Sequence, residues 1–448
     1  MNILLIRPRA DKKTITVNGL ILCEPLELEY LSAYLEQFGH SVTIVDMMLE
    51  KRPLTHFLRH YRPELVGFTA YLTHVHIVKA YAAQVKAFDS GITTVVGGVH
   101  AEVCPEDFAD VNIDYVAGRN GMKTMQAIID GTYTGPDDHV EPVFDYPFPD
   151  RTKTARYRKH YRYLFHDGCA IIKTAQGCPF KCSFCFGTQI TQGQYFQRDI
   201  ANVVAELKTI TEKNIFIADD TFLYDRERVE KFCDLLKAEN INKHFVCFGR
   251  TDFVVQYPET IEKFKEAGFR GVFLGIESFS DKDLKSLNKE TTAATNVKAI
   301  KFLDELGILY YCGMIVHYNW SRADFDRLLK DVRRFKHIMV NLQPLTPMPG
   351  TQSYRDAFGK LLITMQNPAY WGGGHVLMQP EKMSIGAFYY NILRIYFKTG
   401  FRLRMHFMVL KQYGIAAYWR AARASLHVFR QYVRLILQKH DKPVKGSL

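Results

Sequence analysis

The sequence predicts an α/β chain: an N-terminal parallel sheet, a partial barrel of six strand-helix units, and a basic helical extension. Three observations predict it. Apolar, β-branched runs alternate with helix-period segments over roughly the first 130 residues, a Pro-rich basic stretch interrupts them, and the alternation then resumes six times before an aromatic and basic tail. At ~100–200 residues per domain, 448 residues correspond to two to four domains. A composition of 47% apolar and 23% charged residues excludes a mainly disordered chain.

Strands are expected near 2–7, 42–46, 64–69, 92–97 and 113–116, with helices near 25–38, 53–60, 74–88 and 120–130. That order implies right-handed βαβ units, a flavodoxin- or Rossmann-like sheet over residues 1–135. Ligands of such sheets sit outside the carboxyl ends of the strands, which here read Gly67 to Thr73 and Gly97 to His100. Small residues there let a large, flat ligand approach the backbone, although glycine is also the default turn residue. A fragment ending near residue 140 is expected to fold alone.

Residues 136–165 carry Pro142, Pro147 and Pro149 and then the basic, aromatic run 156–163, and read as a linker. The second series, residues 166–365, places strands near 171–175, 214–218, 244–248, 270–276, 308–316 and 337–343, two units short of a closed TIM-type barrel. Its helices fall near 199–213, 225–239, 258–267, 293–306 and 321–335.

Residues 366–448 read as a helical tail. Net charge is +11, and residues 381–448 hold 13 Lys+Arg against Glu381 and Asp441, so the rest of the chain is neutral. Charge confined to a tail, with no nucleic-acid-binding signature beside it, argues against nucleic acid as a partner. Arg394, Lys398 and Arg402 recur every four residues, as one charged helix face would. The tail therefore either lies on an anionic membrane or caps the barrel. No stretch reaches the ~18 apolar residues of a membrane span, and a cytoplasmic protein, with or without peripheral contact at the inner face of the membrane, is expected.

Nine cysteines, three of them within eight residues, suit reduced thiols and a metal better than disulfides. The three form Gly177-Cys178-Pro179-Phe180-Lys181-Cys182-Ser183-Phe184-Cys185, directly after the first barrel strand. Three thiolates in one loop hold three irons of a 4Fe-4S cluster and leave the fourth iron open. A structural zinc would need a fourth ligand, for which His166 and Cys169 are the candidates.

This triplet, with aromatic Phe184 before its last cysteine, resembles the radical S-adenosylmethionine superfamily. The resemblance implies that S-adenosylmethionine chelates the open iron and is cleaved to a 5′-deoxyadenosyl radical. It also implies binding residues at later strand ends. Asp219 is then the partner of the methionyl ammonium, with Asp220 beside it or capping the next helix, and Arg250 suits a carboxylate. Glu277 and Ser278 resemble the family's Gly-x-Glu-Ser segment, the bland alternative being a Glu277–Arg250 salt bridge.

Thr346-Pro347-Met348-Pro349-Gly350-Thr351 looks like the Thr-Pro-x-Pro-Gly-Thr turn of the cobalamin-binding branch, and residues 24–46 and 95–118 resemble that branch's cobalamin domain. The implied cobalamin residues are Thr69, Tyr71, Thr73, Gly97, Gly98, His100 and Gly118. Two departures stand out. No Asp-x-His-x-x-Gly occurs, so His74, His76 and His100 are axial candidates by position only, and Gly118-Arg119-Asn120-Gly121 replaces the usual Gly-Glu-Gly-Glu.

The implied activity is methylation of an unactivated carbon of a lipid-like or tetrapyrrole small molecule, with electrons from a flavodoxin- or ferredoxin-type one-electron reductase. Oxidative cyclisation, methylthiolation and a non-catalytic sensor are the alternatives. Methylthiolation is disfavoured because the N-terminal unit has only Cys23 and Cys104, too few for a second cluster.

Overall fold

The computed structural model describes residues 1–17, 19–136, 139–142, 144–400 and 403–438. In the N-terminal unit β1 (Asn2–Arg7), β2 (Ser41–Asp46), β3 (Leu65–Thr69), β4 (Thr93–Gly97) and β5 (Tyr115–Val116) form a parallel sheet in the spatial order 2-1-3-4-5. Side chains alternate between its faces. Leu4 and Ile6 pack with Phe57 and Val78, while Ile3 and Leu5 pack with Leu28 and Met125. Helices thus cover both faces, which is why β1 reads as an unbroken apolar run. The order of connection reverses between β1 and β3, and that reversal opens a crevice at their carboxyl ends.

The second unit strings β6 (Cys169–Ile172), β7 (Asn214–Ile217), β8 (His244–Gly249), β9 (Phe269–Glu277), β10 (Leu309–Val316) and β11 (Met339–Pro344) in sequential order, all parallel, open between β6 and β11. β6 begins two residues before its expected start, and Ala175–Gly177 instead pairs antiparallel with Tyr195–Gln197. The cysteine loop is the connection inside that hairpin. Ile215, Cys247 and Leu274 face the surrounding helices, whereas Phe216, Phe248 and Tyr311 face the barrel interior. Ile21, Leu26 and Tyr30 of the N-terminal unit and Met405, Met408 and Val409 of the last helix join this interior cluster.

Residues 136–165 are more than a tether. Arg158 pairs with Glu24 and Glu212, and Arg151 with Glu206, all but Glu212 of these carboxylates being fully buried, while Tyr157 and Tyr161 are also buried. The basic run finds acids on both units, so it packs between them.

The tail forms helices Ile385–Gly400 and Leu403–Leu437, the latter kinked at Gly414 (φ 79°, ψ 174°). Phe388, Ile392 and Ile395 are fully buried, and the Tyr396 hydroxyl donates to the Leu342 carbonyl and accepts from its N–H in β11 (3.1 and 2.8 Å). The first tail helix is therefore a structural cap. Arg402 lies outside the described residues, and among those described no helix is long and apolar enough to cross a membrane.

Candidate active site

Gly177 enters the cysteine loop at φ +81°, where a Cβ would stand 2.1 Å from the Gln194 carbonyl oxygen, so the hairpin closes only over glycine. Beyond it Cys178, Cys182 and Cys185 remain partly exposed at the carboxyl end of β6. Three anchors hold the loop: the Ser183 N–H donates to the Leu287 carbonyl (3.0 Å), Asn288 Nδ2 to the Lys181 carbonyl (2.7 Å), and the Ser353 N–H to the Ser183 carbonyl (3.0 Å). The last of these comes from the segment after the Thr-Pro-x-Pro-Gly-Thr turn.

A single structural zinc would need a fourth ligand beside these three sulfurs. His166 and Cys169 lie at the amino end of β6, buried and on the far side of the barrel, so neither supplies a fourth ligand. Burial pushes all three loop thiols up, Cys185 to about 11, and cluster assembly must therefore release protons.

Asp219 does not face the loop freely. Its carboxylate accepts from the Thr174 N–H (2.6 Å), the Thr174 hydroxyl and the Ala175 N–H (2.9 Å), tying β7 to the end of β6. Asp220 is exposed, with its carboxylate against Gly187 just past Cys185, and the helix that follows is capped by Asp225 instead. Of the two acids, the geometry leaves Asp220 open to a ligand. Arg250 spends its fork on Asp252 (2.9–3.1 Å) and lies 3.5 Å over the ring of Phe180 inside the cysteine loop. That is a stacked, charge-paired guanidinium.

Glu277 pairs with Lys289 (3.1 Å) and not with Arg250. It sits at φ +57° on a β-bulge, a strained backbone of the kind found at functional positions. Gly275 makes room for it, since a Cβ there would meet Lys289 Nζ at 2.6 Å and Glu277 Oε1 at 2.7 Å. Ser278 is buried and donates to Asp283 (3.1 Å), which is a turn role. Phe184 is half-buried within the loop. Lys289, Phe180 and Thr174 carried no pattern in the sequence, because each acts through a neighbour brought by the fold.

On the facing unit the Thr69 hydroxyl donates to Glu27 (3.0 Å), and Tyr71 is half exposed at the β1–β3 crevice. Thr73 lies against Gly372 of the segment after the barrel. Gly97 has only ordinary contact room and Gly118 sits against Pro136. Gly98 needs no ligand to explain it: at φ +95° its Cβ would stand 2.8 Å from the Ala70 N, so the chain itself fills that space. His100 is likewise diverted, 1% exposed with Nε2 2.7 Å from Asp107. His74 accepts from the Tyr71 N–H and is held down to about 4 by burial, and His76 meets the Gln366 carbonyl (3.1 Å). Each of these three histidines thus has a protein partner at one ring nitrogen. The crevice of Glu27, Thr69 and Tyr71 at the switch point fits the cofactor's position.

Arg119, one of the two departures, joins the units. Its guanidinium donates to the Gln189 (3.0 Å) and Ile190 carbonyls at the end of the turn that follows Cys185. The carboxyl edges of the two sheets therefore face each other.

The Radical SAM superfamily model matches residues 172–332 and the B12 binding domain model residues 13–129, together more than half of the chain. The chain is a cobalamin-binding radical S-adenosylmethionine enzyme. This radical enzyme uses a 4Fe-4S cluster, S-adenosylmethionine and cobalamin. It is similar to the hopanoid C-3 methylase of Methylococcus capsulatus, at 25% identity over 83% of this chain and 75% of that one. It is also similar to the anaerobic magnesium-protoporphyrin IX monomethyl ester cyclase of Rubrivivax gelatinosus, at 24% identity over 76% and 67% of the two chains.

Among solved structures, the cobalamin-binding radical fold is shared with the methyltransferase TsrM of Kitasatospora setae (TM-score 0.66, 15% identity, 97% of this chain and 99% of that one). It is shared too with OxsB (TM-score 0.62, 18% identity, 79% of this chain), of whose length this chain spans 55%.

Proposed function

We propose that the enzyme transfers a methyl group to an unactivated carbon of an amphiphilic small molecule, an isoprenoid lipid or a tetrapyrrole. The Arg119 bridge carries this reading, because it turns the switch-point crevice toward the cysteine loop, and a carbon held between them is reached from both sides. When bound, the cluster with S-adenosylmethionine supplies a hydrogen-abstracting radical and cobalamin carries the methyl group.

The chain's own residues place the partners. Cys178, Cys182 and Cys185 hold the cluster, Asp220 offers its carboxylate to the methionyl ammonium, and the Glu277–Lys289 and Arg250–Asp252 pairs set the charge around the loop. Thr69, Tyr71 and Gly118 border the cobalamin crevice. A one-electron reductase of flavodoxin or ferredoxin type feeds the cluster, and a substrate of this class would be met at the inner face of a membrane.

The similarity to a cyclase keeps one second reading, oxidative ring closure with the same cofactors. Anaerobic turnover of reconstituted enzyme with S-adenosylmethionine deuterated in its methyl group, a one-electron donor and lipid or porphyrin extracts separates them. Label in the product is expected. An unlabelled, ring-closed product alongside 5′-deoxyadenosine would move the function to cyclisation, and formation of 5′-deoxyadenosine by the reduced protein excludes a non-catalytic sensor.

A further inference from the structure

The helix after Gly414 has two apolar faces. Ala417, Ala424 and Tyr432 are buried against the protein, and Gly19 admits Ala424 because any Cβ there would stand 2.9 Å from the Ala424 Cβ. On the opposite side Ile415, Trp419, Leu426, Phe429 and Leu437 are exposed, Trp419 by 58%. At 3.6 residues per turn these five fall within an arc of roughly 80°, with exposed Arg423, Arg430 and Arg434 along one flank.

A cavity of about 800 Å³ opens beside that stripe, lined by Gly19, Arg162, Ala416, Trp419, Arg420 and Arg423. Two of its three guanidiniums share one carboxylate: Asp167 lies 2.9 Å from Arg420 and 3.9 Å from Arg162. Among the described residues the cavity lining holds Arg162, Arg420 and Arg423 and no acid, so with Asp167 alone beside it the site is short of negative charge, and burial and the Arg420 charge lower the affinity of Arg162 for its proton. Arg162 and Asp167 precede β6, so the cavity lies at the amino end of the barrel, away from the cysteine loop.

We infer that this face docks on an anionic membrane, with a lipid phosphate in the Arg162–Arg420–Arg423 cavity and the Ile415–Leu437 stripe in the headgroup layer. Residues 403–437 hold six Lys+Arg and no acid, so two copies of the helix would repel one another face to face, whereas anionic lipid complements both the stripe and the cations. The surface makes an amphiphilic substrate accessible, yet it does not depend on methyl transfer.

The full chain is mixed with vesicles of phosphatidylcholine alone, or of phosphatidylcholine with phosphatidylglycerol, at about 0.15 M salt, where unshielded attraction reaches only ~8 Å. Flotation with the anionic vesicles only, and a blue shift of tryptophan emission, are expected. Trp320 and Trp371 are 6% and 0% exposed, so the shift reports Trp419. The exposed double variant Arg423→Glu with Arg430→Glu should bind at least about tenfold more weakly with its cluster absorbance unchanged.

Equal binding to neutral vesicles, or full binding by the double variant, would overturn the assignment. So would an emission shift caused by inorganic phosphate without flotation, which would mark a soluble-anion site, or a concentration-dependent dimer that hides Trp419. None of these outcomes touches 5′-deoxyadenosine formation, so failure here and failure of the proposed reaction are distinguishable.

Discussion

Gly98 and Asp219 carry the same lesson at the scale of one residue: a position read as facing a ligand is consumed by the chain. Gly98→Ala puts a Cβ 2.8 Å from the Ala70 N at a positive φ, so a loss of about 1–3 kcal/mol of stability is expected, visible as a lower Tm without cobalamin. An unchanged Tm with weakened cobalamin binding would restore the ligand-approach reading. The cysteines differ from one another by place. Cys178→Ala, Cys182→Ala and Cys185→Ala should each abolish the brown cluster chromophore, whereas Cys23→Ala, Cys104→Ala and Cys312→Ala should keep it, Cys104 and Cys312 being buried among apolar neighbours. Full iron in the Cys182→Ala protein would contradict the cluster assignment.

Between elements, a buried ionic network does what the Pro-rich stretch alone does not announce. Glu206 on the helix Ile200–Thr209 is fully buried between Arg151 (2.7 Å) and Arg198 (2.5 Å), and Glu24 pairs with Arg158 and accepts from the Ile171 N–H of β6. Removing one partner strands buried charge, so Glu206→Ala should cost about 3–5 kcal/mol in chemical denaturation. A loss below about 1 kcal/mol would mean that water already screens the network. The same contacts revise the expectation for a fragment ending near residue 140. Such a fragment keeps the five-stranded sheet but exposes Leu26, Glu24 and Glu29 where the barrel and residues 151–158 cover them, and it should fail to give a cooperative unfolding transition. A sharp two-state melt of residues 1–140 would show that the sheet suffices.

For the molecule as a whole, pH acts through buried groups of both signs. Burial holds His74, His166 and His375 down to about 4, while it raises Asp46, Asp219 and Glu29, and Glu102 to about 7. The unfolded chain protonates a histidine near pH 6.5 and the fold refuses that proton, so each histidine contributes stability above about 6.5 that is lost as pH falls toward 4. The raised carboxyls work in the opposite direction. A difference measurement isolates one term: relative to its own stability near neutral pH, His375→Asn should lose less than the parent chain on acidification, by up to about 1.4 kcal/mol per pH unit between pH 6.5 and 4. Parallel curves for the two proteins would show that His375 titrates normally.

The sequence by itself determined the two parallel sheets, the order of the barrel strands, and the cysteine loop at the end of β6, because period, β-branching and ligand spacing are local and survive without a partner. Tertiary structure alone decided which strand-end residues face the site. Asp219 and Asp220 are neighbours in the chain, yet one is spent on Thr174 and Ala175 and the other is open, and Glu277 pairs with Lys289, a residue that carried no signal in the sequence. Only the fold showed that Arg119, an apparent loss of an acid, bridges the two units, and that one tail helix caps the barrel while the other leaves an apolar, basic face uncovered. The physical reason is common to all of them: a side chain's composition says what it can bond, but burial and the first partner within reach say what it does bond.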